Sequence, residues 1–342
     1  MIKKTFFIYL LLVTTVVFSQ EKKYKLQAIA FYNLENLFDT IPGANDSEYT
    51  PNGSAHWDTY KYSNKLQNMS SVLSKLALER CKNGFAAIGV SEVENLQVMQ
   101  DLIKQKSLVD RNYQIVHYDS PDRRGIDVGL IYNPKLFTLE ASQTRTLFVK
   151  AEPNFRTRDQ LVVRGRIDGE LFHIVINHWP SRRGGEEHSS PMREAAAALA
   201  KSIVDSVEQV WPETKVLVMG DLNDDPSNVS VRKVLGAVRD EGDVRKGGLF
   251  NPFAKIHESG IGTLAYKGEW NLFDQIMVND KLLGNDKSSY KFFKAEIFNR
   301  EFLKQQEGEY KGYPLRTSAG GVWLNGYSDH FPSIVYMVKE IK

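Results

Sequence analysis

The stretch VLVMGDLNDDP, residues 216–226, decides how this 342-residue chain is interpreted. Four apolar residues, Val216 to Met219, form the short run that is typical of a buried strand, and the run passes directly into glycine, carboxylate and amide side chains. A buried strand has no packing reason to end in so many polar groups. Taken alone, the stretch is equally compatible with an ordinary turn, so its meaning depends on whether the arrangement recurs.

The arrangement does recur along the chain. Apolar runs end in NLEN at 33–36, in SEVEN at 91–95 and in NHWPSR at 177–182, while Asp274 is embedded in an apolar segment and Ser328-Asp329-His330 opens the last apolar run. Strand ends at one edge of a sheet converge in space, which is where open α/β folds place their ligands. The joint occurrence therefore predicts one polar site built from distant parts of the sequence.

Between these places, β-rich segments alternate with helical patterns, and no long Pro/Gly/Ser linker separates two domains. Asp168-Gly169 indicates a hairpin, Ser190 and Pro191 suit the start of a helix, and residues 41–63 are typical of a long loop. Mixed hairpins and single helices predict two packed sheets with helices outside, in one domain from residue 20 to residue 342. The predicted strands are 26–32, 86–90, 113–118, 128–132, 160–167, 171–177, 215–219, 272–278 and 331–338; the predicted helices are 64–81, 95–106, 191–211 and 228–238.

The first residues indicate export. Lys3 and Lys4 precede an apolar run that ends at Phe18, and small residues follow near Ser19, the pattern of a secretory signal peptide. The run is shorter than the ~20 apolar residues of a membrane-spanning helix. We therefore expect residues 1–19 to be removed, the mature chain to have no transmembrane segment, and the protein to be periplasmic or extracellular.

Charge and cysteine content narrow the possibilities further. Without Lys3 and Lys4, the 44 basic residues fall to 42, which equals the number of acidic residues. Overall charge therefore does not attract polyanions, and any affinity for nucleic acid has to come from local groups such as Arg124 and Arg182, which are as typical of solvated loops. Cys81 is the sole cysteine, which excludes an intramolecular disulfide.

The polar strand ends suit a hard dication. Asn33, Glu92 and Asp329 offer the oxygen ligands that such an ion prefers, and a bound metal neutralises phosphate charge and lowers the pKa of water. His178 and His330 titrate near neutral pH and can transfer protons. The sequence contains no P-loop, HExxH, GxSxG or zinc cysteine pair, which argues against nucleotide-driven motors, zinc proteases and α/β-hydrolases.

In their order, these motifs resemble those of the endonuclease/exonuclease/phosphatase superfamily, and within it the DNase I-like secreted and membrane-associated nucleases of bacteria. The resemblance covers nearly the whole mature chain and implies a four-layer α/β sandwich with the site at one end of two facing sheets. The matching segments are FYNLENLFD at 31–39, EVEN at 92–95, NHWPSR at 177–182, GDLN at 220–223, FDQI at 273–276 and SDH at 328–330.

Carried over position by position, the resemblance implies that Asn33 and Glu92 hold the metal, with Asp329 nearby. The ion is expected to be Mg²⁺, or else Mn²⁺ or Ca²⁺. Asp221 and Asn223 would orient or activate the attacking water and bind phosphate.

The resemblance also implies roles for the two histidines and for several substrate contacts. His178 matches a proton donor of DNase I-like members, and His330 matches a second histidine that pairs with Asp274. The expected substrate contacts are Arg124, Asn177 and Arg182.

Two departures from the family pattern leave alternatives open. The metal glutamate usually follows Gln, whereas Ser91 precedes Glu92 here, and Glu94 shares its strand face at period two. Glu92 is preferred, but Glu94 remains an alternative ligand. The acid that would support His178 is also open, with Asp127 as the nearest match.

The scaffold does not choose the substrate, because its members hydrolyse DNA, RNA, sphingomyelin, phosphoinositides and nucleotides. A nuclease acting on DNA, or else RNA, is preferred because the motif wording is closest to the bacterial nucleases and because Arg182 beside His178 suits a polyanion backbone. No stable protein partner is implied. Trp57, Tyr60 and Tyr62 keep a sphingomyelinase-like or other phosphoester hydrolase open, and an inactive binding module is the third reading.

Overall fold

A computed structural model describes residues 22–43 and 48–341, so the predicted signal peptide 1–19 lies outside the described residues. The first of two large sheets has the strand order β14-β17-β1-β2-β4-β3. Strands β1 and β2 run parallel and the other neighbours run antiparallel. Its strands are β1 (Lys23–Leu37), β2 (Ala87–Val93), β3 (Gln114–His117), β4 (Asp127–Tyr132), β14 (Lys291–Ile297) and β17 (Ser333–Ile341).

The second sheet has the order β5-β6-β7-β8-β13-β10-β9, with β7 and β8 parallel at its centre. Two small hairpins, β11–β12 and β15–β16, stand outside both sheets. The remaining strands are β5 (Thr138–Arg145), β6 (Gln160–Ile167), β7 (Glu170–His178), β8 (Lys215–Asp221), β9 (Ala237–Val238), β10 (Leu249–Phe250), β11 (Leu264–Tyr266), β12 (Glu269–Asn271), β13 (Asp274–Asn279), β15 (Ser318–Ala319) and β16 (Val322–Trp323).

Helices cover the outer faces. The carboxylate of Asp58 caps the first helix by accepting from Lys61 N at 2.9 Å, and none of the helices in residues 22–43 and 48–341 is long and apolar enough to cross a bilayer. The α-helices are α1 (Thr59–Lys75), α2 (Leu96–Ile103), α3 (Glu186–Val210) and α4 (Phe253–Glu258); 3-10 turns span Val109–Arg111, Glu241–Asp243, Asp280–Leu282 and Glu301–Leu303, and a π-helical turn spans Ser230–Leu235.

Strand β7 shows how the layers are built. Because side chains alternate along a strand, Ile174 and Ile176 enter the core between the two sheets, where they join Phe31 of β1. Val175 points the other way and packs with Ala197 of α3. The predicted four-layer α/β sandwich, with two packed mixed sheets flanked by helices, is therefore confirmed.

The local predictions fail where burial is weak or backbone geometry is unusual. β5 and β14 were not predicted because they are edge strands with mixed polar sequences and little burial. The helix predicted at 191–211 begins at Glu186, so Gly185 rather than Ser190 precedes it and Pro191 lies inside. The helix predicted at 228–238 is wrong, because a short π-helical turn there gives way to β9. The hairpin at Asp168-Gly169 is confirmed between β6 and β7.

The sheets place the polar strand ends together. The parallel pairs β1–β2 and β7–β8 bring their carboxyl ends to one end of the sandwich, and the antiparallel strands β13 and β17 begin at that same end. In register, Asp221 is opposite His178 on one side and Asp274 on the other.

Candidate active site

Asp221, at the end of β8, lies at the centre of the polar cluster. Its Oδ2 accepts from Asn33 Nδ2 at 2.9 Å, and its Oδ1 accepts from Asn223 N at 2.9 Å. The same Oδ2 lies 3.7 Å from His178 Nε2 and 3.9 Å from His330 Nε2. Burial raises the pKa of Asp221 to about 6, with Asp274 adding to the shift and His330 opposing it. A carboxylate, an amide and two imidazoles therefore meet around one oxygen.

The backbone around this cluster adopts unusual conformations. Gly220 is needed where β8 approaches β7, because a Cβ there would lie 2.2 Å from Asn177 O. Four of the ten non-glycine residues with positive φ in the described chain also lie here: Glu35, Asn36, Glu92 and Asn223, with φ between 48° and 60°. Such conformations persist where the surrounding structure enforces them, and they are common at functional sites.

Glu92 is the acid of the SEVEN segment that reaches the cluster. Its Oε1 lies 3.4 Å from Asn33 Nδ2 and 4.0 Å from His178 Nε2. Its Oε2 accepts from Asn36 N at 3.0 Å and from Arg124 Nη2 at 2.7 Å. Glu94, the alternative, accepts instead from Asp39 N at 2.7 Å. The geometry therefore favours Glu92 as the metal-ligating acid, and Arg124 lies beside it with a half-exposed side chain.

His330 and Asp274 form a tight buried pair. The distance between His330 Nδ1 and Asp274 Oδ2 is 2.6 Å, and Asp274 is wholly buried. Burial alone would lower the pKa of His330, but Asp274, Asp329 and Asp221 together raise it well above its usual value. These acids therefore favour the protonated form of His330, whose Nε2 lies 3.9 Å from Asp221 Oδ2 and 3.9 Å from Asp329 Oδ1.

His178 has the opposite character. Burial, with contributions from Arg158 and Arg124, lowers its pKa well below the usual value, which favours the neutral ring. Its Nδ1 is buried and has no hydrogen-bond partner within the described residues. Asp127 does not support it as predicted, because that carboxylate is bound to His117 Nε2 at 3.0 Å and to Ser120 N at 2.8 Å.

Asn33 has a different orientation from the one predicted for a metal ligand. Its Oδ1 accepts from Glu35 N at 2.9 Å, while its Nδ2 faces Asp221 and Glu92. An amide nitrogen is a donor and not a ligand for a hard cation. In this arrangement Asn33 positions two carboxylates by hydrogen bonding to both.

Asn177 was predicted to contact the substrate, and the structure places it in the interior. Its Nδ2 donates to Met219 O at 3.0 Å and to Val175 O at 3.2 Å, and its Oδ1 accepts from Trp179 Nε1 at 3.0 Å. The side chain is wholly buried. Asn177 therefore ties β7 to β8 beneath the site and does not line it.

Arg182 is also structural. Its Nε donates to Asn223 O at 2.9 Å, its Nη2 lies 3.2 Å from Asp224 Oδ1 and 3.3 Å from Asp225 Oδ2, and the guanidinium lies over the Phe273 ring. A guanidinium engaged by two carboxylates and a carbonyl has little capacity left for phosphate. The predicted role as a substrate contact is corrected: Arg182 fixes the segment that follows Asp221. Asn223 itself is anchored by its Nδ2, which donates to Trp179 O at 2.9 Å.

The sequence interpretation assigned no role to a charged group on the other side of the cluster. Glu35 is buried, accepts from Thr317 N at 2.6 Å and lies 3.2 Å from Arg316 Nε. Burial and the neighbouring Asp329 raise its pKa to about 7. Arg316 Nη2 also binds Asp329 Oδ2 at 2.9 Å, and Lys65, whose pKa burial lowers to about 8, lies beneath. Glu35 could have been found from the sequence because it belongs to the NLEN motif, whereas no sequence pattern indicated Arg316 or Lys65.

The donor set fits a hard divalent cation. Glu92, Asp221 and Asp329 contribute carboxylate oxygens around the histidines, and Asp274 Oδ1 is buried with no hydrogen-bond partner among the described residues. Asp221, Asp274 and His330 also present atoms within 4.8 Å of one another. His330 Nδ1 is already bound to Asp274, so the oxygen groups are the better ligands.

Comparison with known proteins identifies the family of this chain. A sequence model described as the Endonuclease/Exonuclease/phosphatase family matches residues 28–339. No curated protein matches the sequence significantly.

Solved structures share the fold at low sequence identity. Humanized TDP2 of D. rerio with 14 mutations has a TM-score of 0.56 and 13% identity, covering 91% of this chain and 98% of that one. The same protein with a single-strand DNA product has a TM-score of 0.54 and 12% identity, with coverage of 91% and 98%. A Bacteroides thetaiotaomicron protein described by the same family name has a TM-score of 0.54 and 14% identity, with coverage of 94% and 100%. The mannosyl-6-phosphatase of that organism has a TM-score of 0.53 and 15% identity, covering 91% of this chain and 99% of that one.

Proposed function

This chain belongs to the endonuclease/exonuclease/phosphatase family of phosphoester hydrolases, and from that premise we propose that it is an exported, divalent-metal-dependent nuclease whose main substrate is DNA. The family supplies the reaction class. The choice of nucleic acid, the metal and the export route are the proposal.

One observation carries the proposal: an acid at the end of β8 lies within 4 Å of two histidines whose pKa values are shifted in opposite directions. Asp221 Oδ2 is 3.7 Å from Nε2 of His178, whose pKa is lowered, and 3.9 Å from Nε2 of His330, whose pKa is raised. Phosphodiester hydrolysis needs one group that takes a proton from water and another that gives a proton to the leaving oxygen. A neutral and a protonated imidazole on either side of one carboxylate supply both.

The residues divide the work in the following way. Glu92, Asp221 and Asp329 would hold the cation, which when bound neutralises phosphate charge and lowers the pKa of water. Asp221, held by Asn33 and by the backbone of Asn223, orients the attacking water.

The two histidines handle proton and charge. Protonated His330, held by Asp274, would give a proton to the leaving oxygen and stabilise the negative charge that develops there. Neutral His178 exchanges a proton through Nε2, the ring nitrogen that faces Asp221 and Glu92.

Nucleic acid is preferred as the substrate for two reasons. The motif sequences resemble those of bacterial DNase I-like nucleases most. A structural neighbour, TDP2 of D. rerio, was solved with a single-strand DNA product. The lipid alternative loses its main support, because Trp57 is buried with Nε1 donating to Phe38 O and Tyr62 OH bonds to Asp101. Only Tyr60 of those three aromatic side chains is strongly exposed.

A substrate panel tests this proposal. The protein without residues 1–19 is incubated with plasmid DNA, single-stranded DNA, RNA, nucleotides, mannose 6-phosphate and sphingomyelin, with Mg²⁺ or Mn²⁺ and with EDTA. We expect metal-dependent loss of plasmid DNA, its arrest by EDTA, and its near absence in His330→Ala. Hydrolysis of sphingomyelin or of the sugar phosphate without cleavage of any nucleic acid would overturn the nuclease assignment, and no hydrolysis of any phosphoester would favour a binding module.

Export has a separate test. Expression of the full chain in a bacterial host, followed by N-terminal sequencing of the periplasmic and extracellular protein, should show a chain that begins just after Ser19. A full-length chain retained in the cytoplasm would refute the proposed route.

A further inference from the structure

A cavity of about 300 Å³ opens beside the catalytic cluster. Three parts of the chain wall it: Glu35 and Asn36 near the end of β1, the stretch between Glu48 and Lys61, and the β15–β16 hairpin with the residues that lead into it. We call it the side pocket and define it by six lining residues: Tyr49, Ser54, Lys61, Arg316, Ser318 and Trp323. Its volume lies at the lower end of the about 300–1,000 Å³ that small-molecule sites occupy.

The side pocket is continuous with the catalytic cluster through Arg316. Arg316 lines the pocket, while its Nη2 binds Asp329 Oδ2 at 2.9 Å and its Nε lies 3.2 Å from Glu35 Oε1. Asn36 also lines the pocket, and its backbone N donates to Glu92 at 3.0 Å. The pocket therefore borders Glu92 and Asp329, and a group bound in it would lie next to a phosphate held by these carboxylates.

Aromatic rings in the pocket wall are fixed in place by their neighbours. Tyr49 stacks on Phe38 with ring centroids 4.5 Å apart, and Trp323 meets Trp57 edge-on at 5.5 Å. Both rings remain partly exposed. Rigid, partly exposed rings are the surfaces on which nucleobases stack without sequence preference.

The charge of the walls restricts the occupant further. Lys61 lies 5.8 Å from the Trp323 ring centroid, and Glu35, Glu48 and Arg316 add charged groups. Burying charged walls against an acyl chain would be strongly unfavourable, so a lipid tail does not suit this cavity. A ring with polar edges does.

We propose that the side pocket receives one unpaired nucleoside next to the scissile phosphate, so that single-stranded DNA is cleaved in preference to duplex. The inference rests on the proposed nuclease function and deepens it. A base inside a duplex reaches such a pocket only after unstacking and unpairing, which costs a few kcal/mol, whereas a base in a single strand is free to enter.

Three oligonucleotides of one length test the inference: a single strand, its duplex and a single strand of abasic residues. The wild-type protein is compared with Trp323→Ala, which removes a stacking surface, and with Ala319→Trp, which fills the pocket from an exposed position on β15 without removing any contact. Tyr24→Ala is the matched control, because Tyr24 is an exposed aromatic residue at the opposite end of β1.

We expect the wild-type protein to cleave the base-containing single strand with a kcat/KM roughly tenfold or more above that for the abasic strand, which is the scale of one base-stacking contact. Both pocket variants should lose the preference for the base-containing single strand over the abasic strand while keeping the rate on the abasic strand. Tyr24→Ala should behave as wild type. Equal loss on all three substrates, or an unchanged preference in both pocket variants, would overturn the inference and leave the nuclease assignment standing. Failure of the wild-type protein to cleave any of the three would instead refute the proposed function itself.

Discussion

Two acids at opposite ends of the sandwich, Glu170 and Asp221, have different kinds of partner. At the end where β7 begins, Glu170 accepts from Lys215 and Lys339, each at 2.7 Å, and Asp168 lies 2.7 Å from Lys25. These acids are paired directly with cations, and the pKa values of Asp168 and Glu170 fall even though burial opposes the change. At the other end, Asp221 has a raised pKa, and its nearest ionisable partners are His178 and His330, not a lysine or an arginine.

Two histidines on the same strand show the contrast most directly. His173 Nδ1 lies 2.8 Å from Thr214 Oγ1 and its ring packs on Trp211, so its environment is satisfied by the fold. His178, five residues later, has a buried Nδ1 without a partner and an Nε2 that faces two acids. The contacts of His173 stabilise the fold and do not suggest a ligand. The incomplete pairing around His178, in contrast, leaves polar groups that a bound metal and a phosphate would satisfy.

The largest effect should come from His330. We expect His330→Ala to lower kcat by about 10³-fold or more, because it removes a charged proton-transfer group. His173→Gln is the matched control at the other end and should keep near wild-type kcat at neutral pH. Steady-state rates on plasmid DNA with Mg²⁺ check both. Similar losses of kcat in His330→Ala and His173→Gln would contradict the proposal that only the His330 end of the sandwich takes part in catalysis.

Asp274→Asn should have the next largest effect. It preserves shape but removes the negative charge that holds His330 protonated and oriented across 2.6 Å. We expect kcat to fall by about 10²-fold and the NMR-detected pKa of His330 to drop. An unchanged His330 pKa would contradict the electrostatic role given to Asp274.

Glu92→Gln should weaken metal binding by about 10- to 100-fold or more, since it removes a charged oxygen ligand. In the wild-type protein, a metal that binds only the folded state raises Tm with concentration. The variant should need higher Mn²⁺ for the same shift, whereas Glu94→Gln should respond like wild type. A larger loss in Glu94→Gln would make Glu94 the ligand.

The smallest effect concerns stability at the opposite end. Burial, with Arg164 nearby, lowers the pKa of His173 from 6.5 to about 4. Because the folded pKa is below the unfolded one, this stability is present in full above pH 6.5 and is lost as the pH falls toward 4. We expect a loss of about 1–3 kcal/mol from this group, measured by urea unfolding of wild type and His173→Gln. An equally steep decline in the variant would assign the acid sensitivity elsewhere.

The sequence predicts the fold well because long apolar runs with polar ends mark central strands, and the strands that carry Asn33, Glu92, His178 and Asp221 are all of this kind. Edge strands β5 and β14 were missed, because half-exposed strands of mixed composition leave little periodic signal. The site was located but not resolved in detail. Motif order brings residues to one place, but it does not say which atoms face the centre.

The corrected residues illustrate that limit. Asn177 and Arg182 lie within the NHWPSR motif, yet both donate hydrogen bonds to neighbouring protein groups: Asn177 to a backbone carbonyl, and Arg182 to a backbone carbonyl and a carboxylate. Arg316 lies outside every motif, and the structure brings it to the cluster through its contacts with Glu35 and Asp329. Such tertiary contacts depend on loop paths that local sequence patterns do not encode.

The central claim is that the end of the sandwich with incomplete charge pairing binds a divalent cation. Anomalous diffraction from crystals of this protein soaked in Mn²⁺ tests it directly. We predict a strong peak about 2.1–2.3 Å from a carboxylate oxygen of Glu92, with Asp221 and Asp329 around it and no peak at Glu170. A peak only elsewhere, or none at saturating Mn²⁺, would contradict the claim.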